Sequence, residues 1–337
     1  MKPARRVLLG LICLAWPLFA IPAENDFMTI TFIDVGQGDA ALVEFPPFLD
    51  GSRARMLIDG GPDSTDDNAI VSLLREKNIS MLDFVVLTHP HEDHYQGLIP
   101  VFENFIVEEF WWSGESRGPS RWEDTPRSWE EFEAAMNRAN EKVLLRQGHK
   151  LEVRGAKLRI LNAGREYPNT TKERDINNDS LVMMFYYKSV KTLFAGDIEE
   201  AEGRDLVSDY CSWFGCRRLN ADIVKVPFHG AGHFSTEFIR TVDAESVIVS
   251  VGFRNREQHH PRATALLAFQ EHGAEAFYST GVDDKTGNHN ITITIGPLRN
   301  EFTIEGADSG FTYWRDTDDD STCRGEIHEG FCLELWE

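Results

Sequence analysis

The stretch that decides the fold is THPHEDH at residues 88–94, which directly follows the apolar run FVVL at residues 84–87. Four consecutive apolar residues rich in valine are typical of a buried β-strand. Three imidazoles and a carboxylate therefore follow the carboxyl end of a strand, and both groups are zinc ligands. Alternate residues of an extended chain point the same way, so His89 and His91 are expected to hold one metal ion.

A second ion is expected because the chain turns after His91, which lets Asp93 and His94 face away from the first pair. One segment cannot complete two metal shells, so further ligands must come from elsewhere. Four candidates share one context, the end of an apolar run: Asp59, Asp197, His229 and His260. Any one of them alone is more often an ordinary turn residue. Together with HxHxDH they predict a two-metal site at strand ends.

Strands and helices alternate along the whole chain, and several strands follow each other as hairpins. Strands are predicted at residues 27–35, 41–45, 56–58, 84–87, 107–112, 157–161, 181–187, 192–194, 223–226, 246–251 and 291–295. Helices are predicted at residues 67–77, 98–105, 127–146, 199–207, 236–241 and 262–272. This pattern indicates an α/β protein, arranged as a four-layer αββα sandwich.

Composition limits the function classes. The chain has 337 residues, with 34 Lys and Arg against 55 Asp and Glu, and a formal net charge of −21. Its 42% hydrophobic content excludes a disordered chain. The acidic balance argues against electrostatic binding of nucleic acid or anionic membranes, which uses clustered Lys and Arg. It leaves room for a small anionic substrate held by a metal.

The N-terminus has the composition of an export signal. Lys2, Arg5 and Arg6 precede an apolar run at residues 7–20, shorter than the roughly 20 residues that a spanning helix needs. This favours a signal peptide over residues 1–23, with an uncleaved membrane anchor as the alternative. Cleavage would remove three positive charges, changing the net charge from −21 to −24. It would leave a secreted or periplasmic protein without a membrane span.

Four cysteines remain after such cleavage. Short loops favour the disulfides Cys211–Cys216 and Cys323–Cys332, although four cysteines allow three pairings. Zinc ligation by these thiols is the alternative, but neither pair has the two-residue spacing of a zinc knuckle. An oxidising compartment favours disulfides. Residues 307–337 are predicted to be an acidic, disulfide-stapled C-terminal tail.

Taken in order, several runs resemble the metallo-β-lactamase superfamily. More narrowly, the chain is similar to the soluble hydrolase domain of competence-type DNA-uptake proteins and their secreted free-standing relatives. Besides HxHxDH followed by Tyr-Gln-Gly, the matching runs are DVGQGDA at 34–40, LIDGG at 57–61, NDSLV at 178–182, AGD at 195–197, KVPFHG at 225–230 and His260-Pro261. The resemblance covers residues 28–295 and implies one hydrolase domain over residues 24–306.

The resemblance also implies roles for single residues. His89 and His91 would hold the first zinc ion, with Asp197 bridging to the second. Asp93, His94 and His260 would hold that second ion. Asp59 would steady the histidine loop through hydrogen bonds and could relay protons, as such supporting partners do.

Two departures leave alternatives open. The superfamily has a metal-binding histidine shortly before the bridging aspartate, where this chain reads Asn177-Asn178-Asp179-Ser180. Asn178 or Asp179 could take the place of this histidine, or the first metal ion could have fewer ligands and bind more weakly. The relatives often show two histidines before the glycine, where this chain has Phe228-His229. His229 would face the substrate as a catalytic group, or supply the missing ligand.

The implied activity is hydrolysis by a hydroxide that bridges two zinc ions. A phosphodiester is the favoured substrate, in a small molecule or a polymer, with nucleic acid disfavoured by the net charge. Arg117, Arg121, Arg127 and neighbouring tryptophans could form a binding rim or simply a solvated loop. The alternatives are hydrolysis of a lactam, lactone or thioester by the same hydroxide, and a non-catalytic binding protein with a vestigial site.

Overall fold

The computed structural model describes residues 26–63, 65–115, 128–165, 176–212, 215–216, 218–253, 255, 258–282, 287 and 289–306, together with the backbone of 311–314, 326–328 and 331–334. The predicted signal at 1–23, the arginine loop and Cys323 lie outside these residues, as does the side chain of Cys332. The predicted disulfide between Cys211 and Cys216 is present. Among the described residues, no helix has the length and apolarity needed to cross a membrane.

The first sheet has eight strands in the order β15-β14-β1-β2-β3-β4-β5-β6. Their bounds are β1 Met28–Phe32, β2 Ala41–Glu44, β3 Arg55–Ile58, β4 Met81–Val86, β5 Ile106–Trp112, β6 Glu141–Leu144, β14 Ile291–Ile295 and β15 Phe302–Glu305. Strands β3 to β6 run parallel, whereas β1, β2, β14 and β15 pair antiparallel. The carboxyl ends of β3 and β4, which lead to Asp59 and the histidine loop, therefore lie at one edge.

The second sheet has seven strands in the order β13-β12-β11-β10-β9-β8-β7. Their bounds are β7 Lys150–Val153, β8 Ala156–Asn162, β9 Val182–Tyr187, β10 Val190–Phe194, β11 Ile223–Lys225, β12 Ser246–Val249 and β13 Ala276–Ser279. Strands β10 to β13 are parallel. Because each of the first three is followed by a predicted site residue, their carboxyl ends gather Asp197, His229 and His260 at one edge.

Seven α-helices among the described residues cover the outer faces of the two sheets. They are α1 Ala69–Glu76, α2 Glu92–Tyr95, α3 Leu98–Asn104, α4 Trp129–Met136, α5 Glu200–Tyr210, α6 Thr236–Val242 and α7 Ala263–Glu271. Residues of α1, α3 and α4 pack on the first sheet, and those of α5, α6 and α7 on the second. A third apolar cluster fills the space between the sheets, where the rings of Phe32 and Phe194 stack at 5.2 Å. The predicted four-layer αββα sandwich is confirmed.

The long helix predicted at residues 127–146 was wrong. Helix α4 starts where Ser128 and Glu131 form a capping box, and it ends at Met136. Residues 141–144 instead form β6 beside β5, with Val143 packed against the core between the sheets. Pairing with a neighbouring strand outweighed the helical pattern of a charged segment. Strands β6, β7, β13 and β15 were not predicted, because each is short and half exposed.

The C-terminal tail contains three further strands: β16 Phe311–Trp314, β17 Glu326–His328 and β18 Phe331–Glu334. They form a small antiparallel sheet of their own in the order β16-β18-β17. The sequence pattern of residues 307–337 did not predict these strands.

Candidate metal centre

The HxHxDH loop brings its first two histidines together directly after β4. The Nε2 atom of His89 and the Nδ1 atom of His91 lie 3.0 Å apart. His94 then sits on the short helix α2 with its ring 4.1 Å from that of His89, centroid to centroid. Both His89 and His94 are buried. The loop therefore presents several ring nitrogens to one small volume, as its spacing predicts.

Asp197 stands at the centre of this volume. Gly196 before it has φ +56°, a left-handed conformation that glycine adopts without strain, and a Cβ there would lie 2.7 Å from the Cβ of Ser180. One carboxylate oxygen, Oδ2, lies 3.8, 3.4 and 3.3 Å from the Nε2 atoms of His89, His94 and His229. A single oxygen of Asp197 is thus shared by three imidazoles.

His229 joins the cluster through an unusual backbone turn after β11. Phe228 and His229 both have left-handed angles, with φ of 48° and 51°. Such angles are costly for residues with a side chain and are concentrated at functional sites. The turn buries the His229 ring completely and brings its Nε2 atom within 3.3 Å of Asp93 Oδ2. This position places His229 beside Asp93 and His94, the ligands predicted for the second ion, whereas the sequence analysis considered it for the missing ligand of the first ion or for a catalytic role.

Each of the three imidazoles around Asp197 is oriented by an oxygen at its Nδ1 atom. His94 Nδ1 donates to Asp59 Oδ2 at 2.9 Å, and His229 Nδ1 donates to the carbonyl of Ser250 at 2.9 Å. The hydroxyl of Thr88 donates to Asp59 at 2.7 Å and accepts from His89 Nδ1 at 3.1 Å. These contacts at Nδ1 turn the Nε2 atoms of His94 and His229 towards Asp197, the orientation that metal-binding histidines use.

Asp59 accepts three hydrogen bonds in this network. Besides His94 and the Thr88 hydroxyl, it accepts from the Thr88 backbone N–H at 2.8 Å. Burial raises the pKa of this carboxyl, and the neighbouring His94 charge opposes the rise. Its contacts link the strand end of β3 to the histidine loop.

The donor atoms fit a metal centre. Buried Nε2 atoms of His94 and His229 have no hydrogen-bond partner in the described part of the structure. Asp93, His94 and His229 offer ligand atoms within 4.8 Å of one another, and so do His89, His94 and Asp197. Buried imidazole nitrogens aimed at carboxylate oxygens form the donor set of divalent transition metals such as zinc. We call Asp93, His94 and His229 the carboxylate half, and His89 and His91 the histidine half; both adjoin Asp197.

His260 lies near the cluster without joining its closest groups of ligand atoms. Its ring packs 5.4 Å from that of Phe228, and its Nδ1 atom is buried without a hydrogen-bond partner among the described residues. Burial, and then the charge of His229, lower the pKa of His260 to about 3. The ring is therefore neutral and suited to ligation, although in this conformation His229 is the nearer imidazole.

The residues before β9 are engaged elsewhere. The Asn178 side-chain oxygen accepts hydrogen bonds from the backbone N–H groups of Glu199 and Glu202, at 2.9 and 3.3 Å. It therefore binds the start of α5 rather than the cluster. Asp179 is buried but belongs to none of the described groups of candidate ligands.

Two site residues received no role in the sequence analysis, Asp39 and Lys225. Lys225 is buried, forms an ion pair with Asp39, and lies 3.5 Å from Asp197 Oδ1 and 3.3 Å from the carbonyl of Gly196. The sequence feature that could have revealed Lys225 is its position as a single lysine in an otherwise apolar, buried strand. Asp39 comes after a glycine loop whose Gly38 has no room for a side chain, because a Cβ would lie 2.4 Å from the Asp93 carbonyl.

The charges in the cluster shift the pKa values of its members strongly. Burial alone lowers the pKa of His94 and of His229, but Asp197 and its fellow carboxylates outweigh burial and hold both pKa values well above the ordinary value. Burial lowers the pKa of His89, and the nearby His94 charge lowers it further. Burial raises the pKa of Asp39, but Lys225 and His229 outweigh it, so the pKa is lowered.

The family follows from a direct comparison. The model of the metallo-beta-lactamase superfamily matches residues 33–231, more than half of the chain. The chain therefore belongs to the metallo-β-lactamase superfamily, whose members are mostly metal-dependent hydrolases, and the resemblance seen in the sequence is confirmed.

Among individual relatives, ComE operon protein 3 of Bacillus subtilis (strain 168) is 25% identical over 280 residues, covering 78% of this chain and 33% of the relative. The chain thus spans about a third of that protein's length. Two solved structures are similar at lower identity. YhfI of Bacillus subtilis, a metallo-beta-lactamase fold protein, is 14% identical with a TM-score of 0.43 over 75% of this chain and 96% of its own. CmlA of Streptomyces venezuelae, a diiron beta-hydroxylase, is 13% identical with a TM-score of 0.45 over 80% and 54%.

Proposed function

We propose that this protein is an exported hydrolase of phosphodiesters that uses two zinc ions. The observation that carries the proposal is the convergence of His94 and His229, through their Nε2 atoms, on the carboxylates of Asp93 and Asp197. Nothing in the packing of the sheets requires four buried titratable groups at one point. Their mutual orientation is that of a metal centre.

Divalent ions in such a centre supply Lewis-acid chemistry, activating water and stabilising the oxyanion of the transition state. The chain's own residues have separate tasks. Asp197 offers Oδ2 to both halves, while Lys225 holds Oδ1 of the same carboxylate at 3.5 Å. Asp59 keeps the Nδ1 proton on His94, and Ser250 keeps the corresponding proton on His229.

A phosphodiester fits the open side of the centre. Asp93 is the most exposed member, with 23% of its side chain accessible, and His91 and His260 are slightly exposed. The positive charge of Arg262 is one of the smaller influences that lower the pKa of His260, after burial and the charge of His229. A fixed cation beside the opening favours an anionic substrate, and a phosphodiester carries its negative charge on the reacting group itself.

Export is supported by two features. Residues 7–20 are apolar and follow three basic residues, and the cysteines at 211 and 216 form a disulfide. Disulfides persist mainly in oxidising compartments. We therefore assign the folded domain to a secreted or periplasmic location.

The test is a substrate panel run with and without added zinc. It compares a chromogenic phosphodiester, single-stranded DNA and a chromogenic lactam, using the native chain, His91→Ala and, as matched control, the exposed His149→Ala. We expect zinc-dependent hydrolysis of the phosphodiester that His91→Ala loses and His149→Ala keeps. Faster turnover of the lactam would replace the substrate class, and metal-independent or absent hydrolysis of all three would contradict the proposal.

A further inference from the structure

Exposed apolar side chains are concentrated at one end of the molecule. Six large apolar residues are exposed among the described ones: Phe48, Leu49, Met81, Ile106, Leu144 and Leu298. Leu144 ends β6 at the same edge as the metal centre. The other five lie at the opposite edge. Met81 and Ile106 begin the parallel strands β4 and β5, and Phe48, Leu49 and Leu298 follow strands that run away from the centre. Strands of five to seven residues separate the two edges by roughly 20 Å.

The turns at this opposite edge form one connected surface, which we call the basal surface. It comprises residues 26–27, 46–54, 154–155, 188–189 and 296–301. Leu49, at the tip of the first turn, is 97% exposed, and Leu298, in the last, is 59% exposed. Both project from turns rather than from a sheet face, so neither is covered by a neighbouring element.

Direct contacts tie the first turn to its neighbours. Arg154 donates from Nε to the carbonyl of Pro47 at 3.0 Å. Arg53 donates to the carbonyl of Phe27 at 2.8 Å, and its guanidinium lies 4.3 Å from the centre of the Phe27 ring. The turn that carries Leu49 is therefore held against both the β7–β8 hairpin and the point where the described chain begins.

Similar contacts tie in the last turn. Lys188 pairs with Asp26 at 2.8 Å, and the backbone N–H of Asn300 donates to the Lys188 carbonyl at 3.1 Å. Arg299 donates from Nε to the hydroxyl of Ser189 at 2.8 Å. Leu49 and Leu298 thus belong to one rigid network of turns around residues 26–27.

The charge of the basal surface differs from that of the chain. Its segments contain four cations, Arg53, Arg154, Lys188 and Arg299, against the acids Asp26, Asp50 and Glu301, a net charge of +1. The whole chain carries −21. Charges more than about 8–10 Å away are largely screened at physiological ionic strength. This end is therefore close to neutral, in contrast to the strongly acidic chain as a whole, and repels an anionic surface less than the rest of the protein does.

The chain also enters the fold at this surface. Asp26 is the first described residue, and the apolar run at residues 7–20 ends six residues before it. Six extended residues reach at most about 20 Å. If that run enters a membrane, during export or afterwards, the basal surface is the part of the fold held next to the lipid.

We propose that the basal surface docks on a phospholipid membrane. Leu49, Phe48 and Leu298 would enter the interface, while Arg154 and Arg299 contact lipid phosphates, as apolar and basic groups do in interfacial binding. Docked in this way, the protein presents the metal centre away from the lipid, towards substrate. The inference does not depend on the metal or on the proposed hydrolysis.

A lipid surface fits these features better than a protein partner. The apolar groups stand on separate turn tips with arginines between them, whereas a protein interface buries a continuous apolar centre. A second copy of the chain or another protein is nevertheless distinguishable by experiment.

The test uses the chain from Glu24, which keeps every described element and lacks the apolar run. Co-sedimentation is measured with vesicles of phosphatidylcholine alone and with 30% phosphatidylglycerol, a composition chosen to supply about the surface potential of an anionic leaflet. Leu49→Ser/Leu298→Ser is compared with Leu144→Ser, an exposed leucine at the opposite edge. Arg154→Gln/Arg299→Gln tests the cations. Thermal unfolding of each variant checks that the fold is retained.

We expect the native chain to bind both vesicles, more tightly with phosphatidylglycerol. The double leucine variant should lose about tenfold or more in partitioning, the arginine variant should lose the gain from phosphatidylglycerol, and Leu144→Ser should match the native chain. Failure of the native chain to bind vesicles overturns the proposal. The proposal is also overturned if Leu144→Ser weakens vesicle binding as much as the double leucine variant does. It is overturned as well if the native chain self-associates in solution and the double leucine variant does not.

Discussion

The two halves of the metal centre share Asp197 but differ in charge. The carboxylate half combines Asp93 with two imidazoles whose pKa values are raised by the surrounding carboxylates. The histidine half has two imidazoles and depends on Asp197 for negative charge, and the pKa of its His89 is lowered. The carboxylate half attracts a cation strongly but must release protons to bind it. The histidine half includes the neutral His89 ring but attracts a cation less strongly.

The missing superfamily histidine belongs to the histidine half, and the position before β9 carries Asn178, which binds the start of α5. His229 lies in the carboxylate half, beside Asp93. We therefore expect the first ion to bind in the carboxylate half and a second, weaker ion in the histidine half. The predictions below test that asymmetry, from the largest effect to the smallest.

Asp197→Asn should abolish the function of both halves, because Oδ2 faces His89, His94 and His229 together. Hydrolysis should fall by more than the roughly 10–100-fold that loss of a supporting partner costs. The exposed Asp67→Asn serves as control and should match the native chain. Retention of native turnover by Asp197→Asn would show that the halves do not share this carboxylate.

Lys225→Met should destabilise the metal-free, chelator-treated protein by about 3–5 kcal/mol, because it leaves the buried Asp39 without its cation. Added zinc should recover much of the loss, since a divalent ion also supplies positive charge to the cluster. Denaturant unfolding with and without metal measures both effects. The exposed Lys157→Met is the control. An unchanged free energy of unfolding in Lys225→Met would contradict a stabilising role for the ion pair between Lys225 and Asp39.

Asp59→Asn should lower zinc affinity by about 10–100-fold without removing a ligand. The amide cannot accept the Nδ1 proton of His94 as the carboxylate does at 2.9 Å, so the Nε2 lone pair is no longer fixed. Competition with a chromogenic chelator measures the affinity. Asp50→Asn, in an exposed turn, is the control; equal effects of the two substitutions would assign Asp59 a purely structural part.

Metal binding should strengthen as pH rises. The raised pKa values of His94 and His229 mean that these rings carry protons that an entering ion must displace. In the metal-free protein the same shifts stabilise the fold fully below about pH 6.5, the pKa of histidine in the unfolded chain. This stabilisation is lost as the pH rises through the pKa values of His94 and His229 in the folded protein. The increase in melting temperature on adding zinc should therefore be larger near pH 8.5 than near pH 6. An increase that is equal at both values would contradict the protonation of these rings.

The sequence predicted the layers and most of the candidate ligands, because strands of strong apolar pattern end at chemically distinctive residues. His89, His91 and Asp197 could be placed from spacing and position alone. The role of His229 could not, since it depends on a left-handed turn that no local pattern specifies. Lys225 and Asp39 were missed because their pairing joins segments 186 positions apart, and strand β6 was missed because its pairing overrode a helical pattern.

The most direct test is a calorimetric titration of the metal-free protein with zinc, in which His229→Ala and His89→Ala are compared with the native chain. We predict one tight and one weaker site in the native chain, loss of the tight site in His229→Ala, and its retention in His89→Ala. Two native-like sites in His229→Ala, or loss of the tight site in His89→Ala alone, would contradict the assignment of His229 to the carboxylate half.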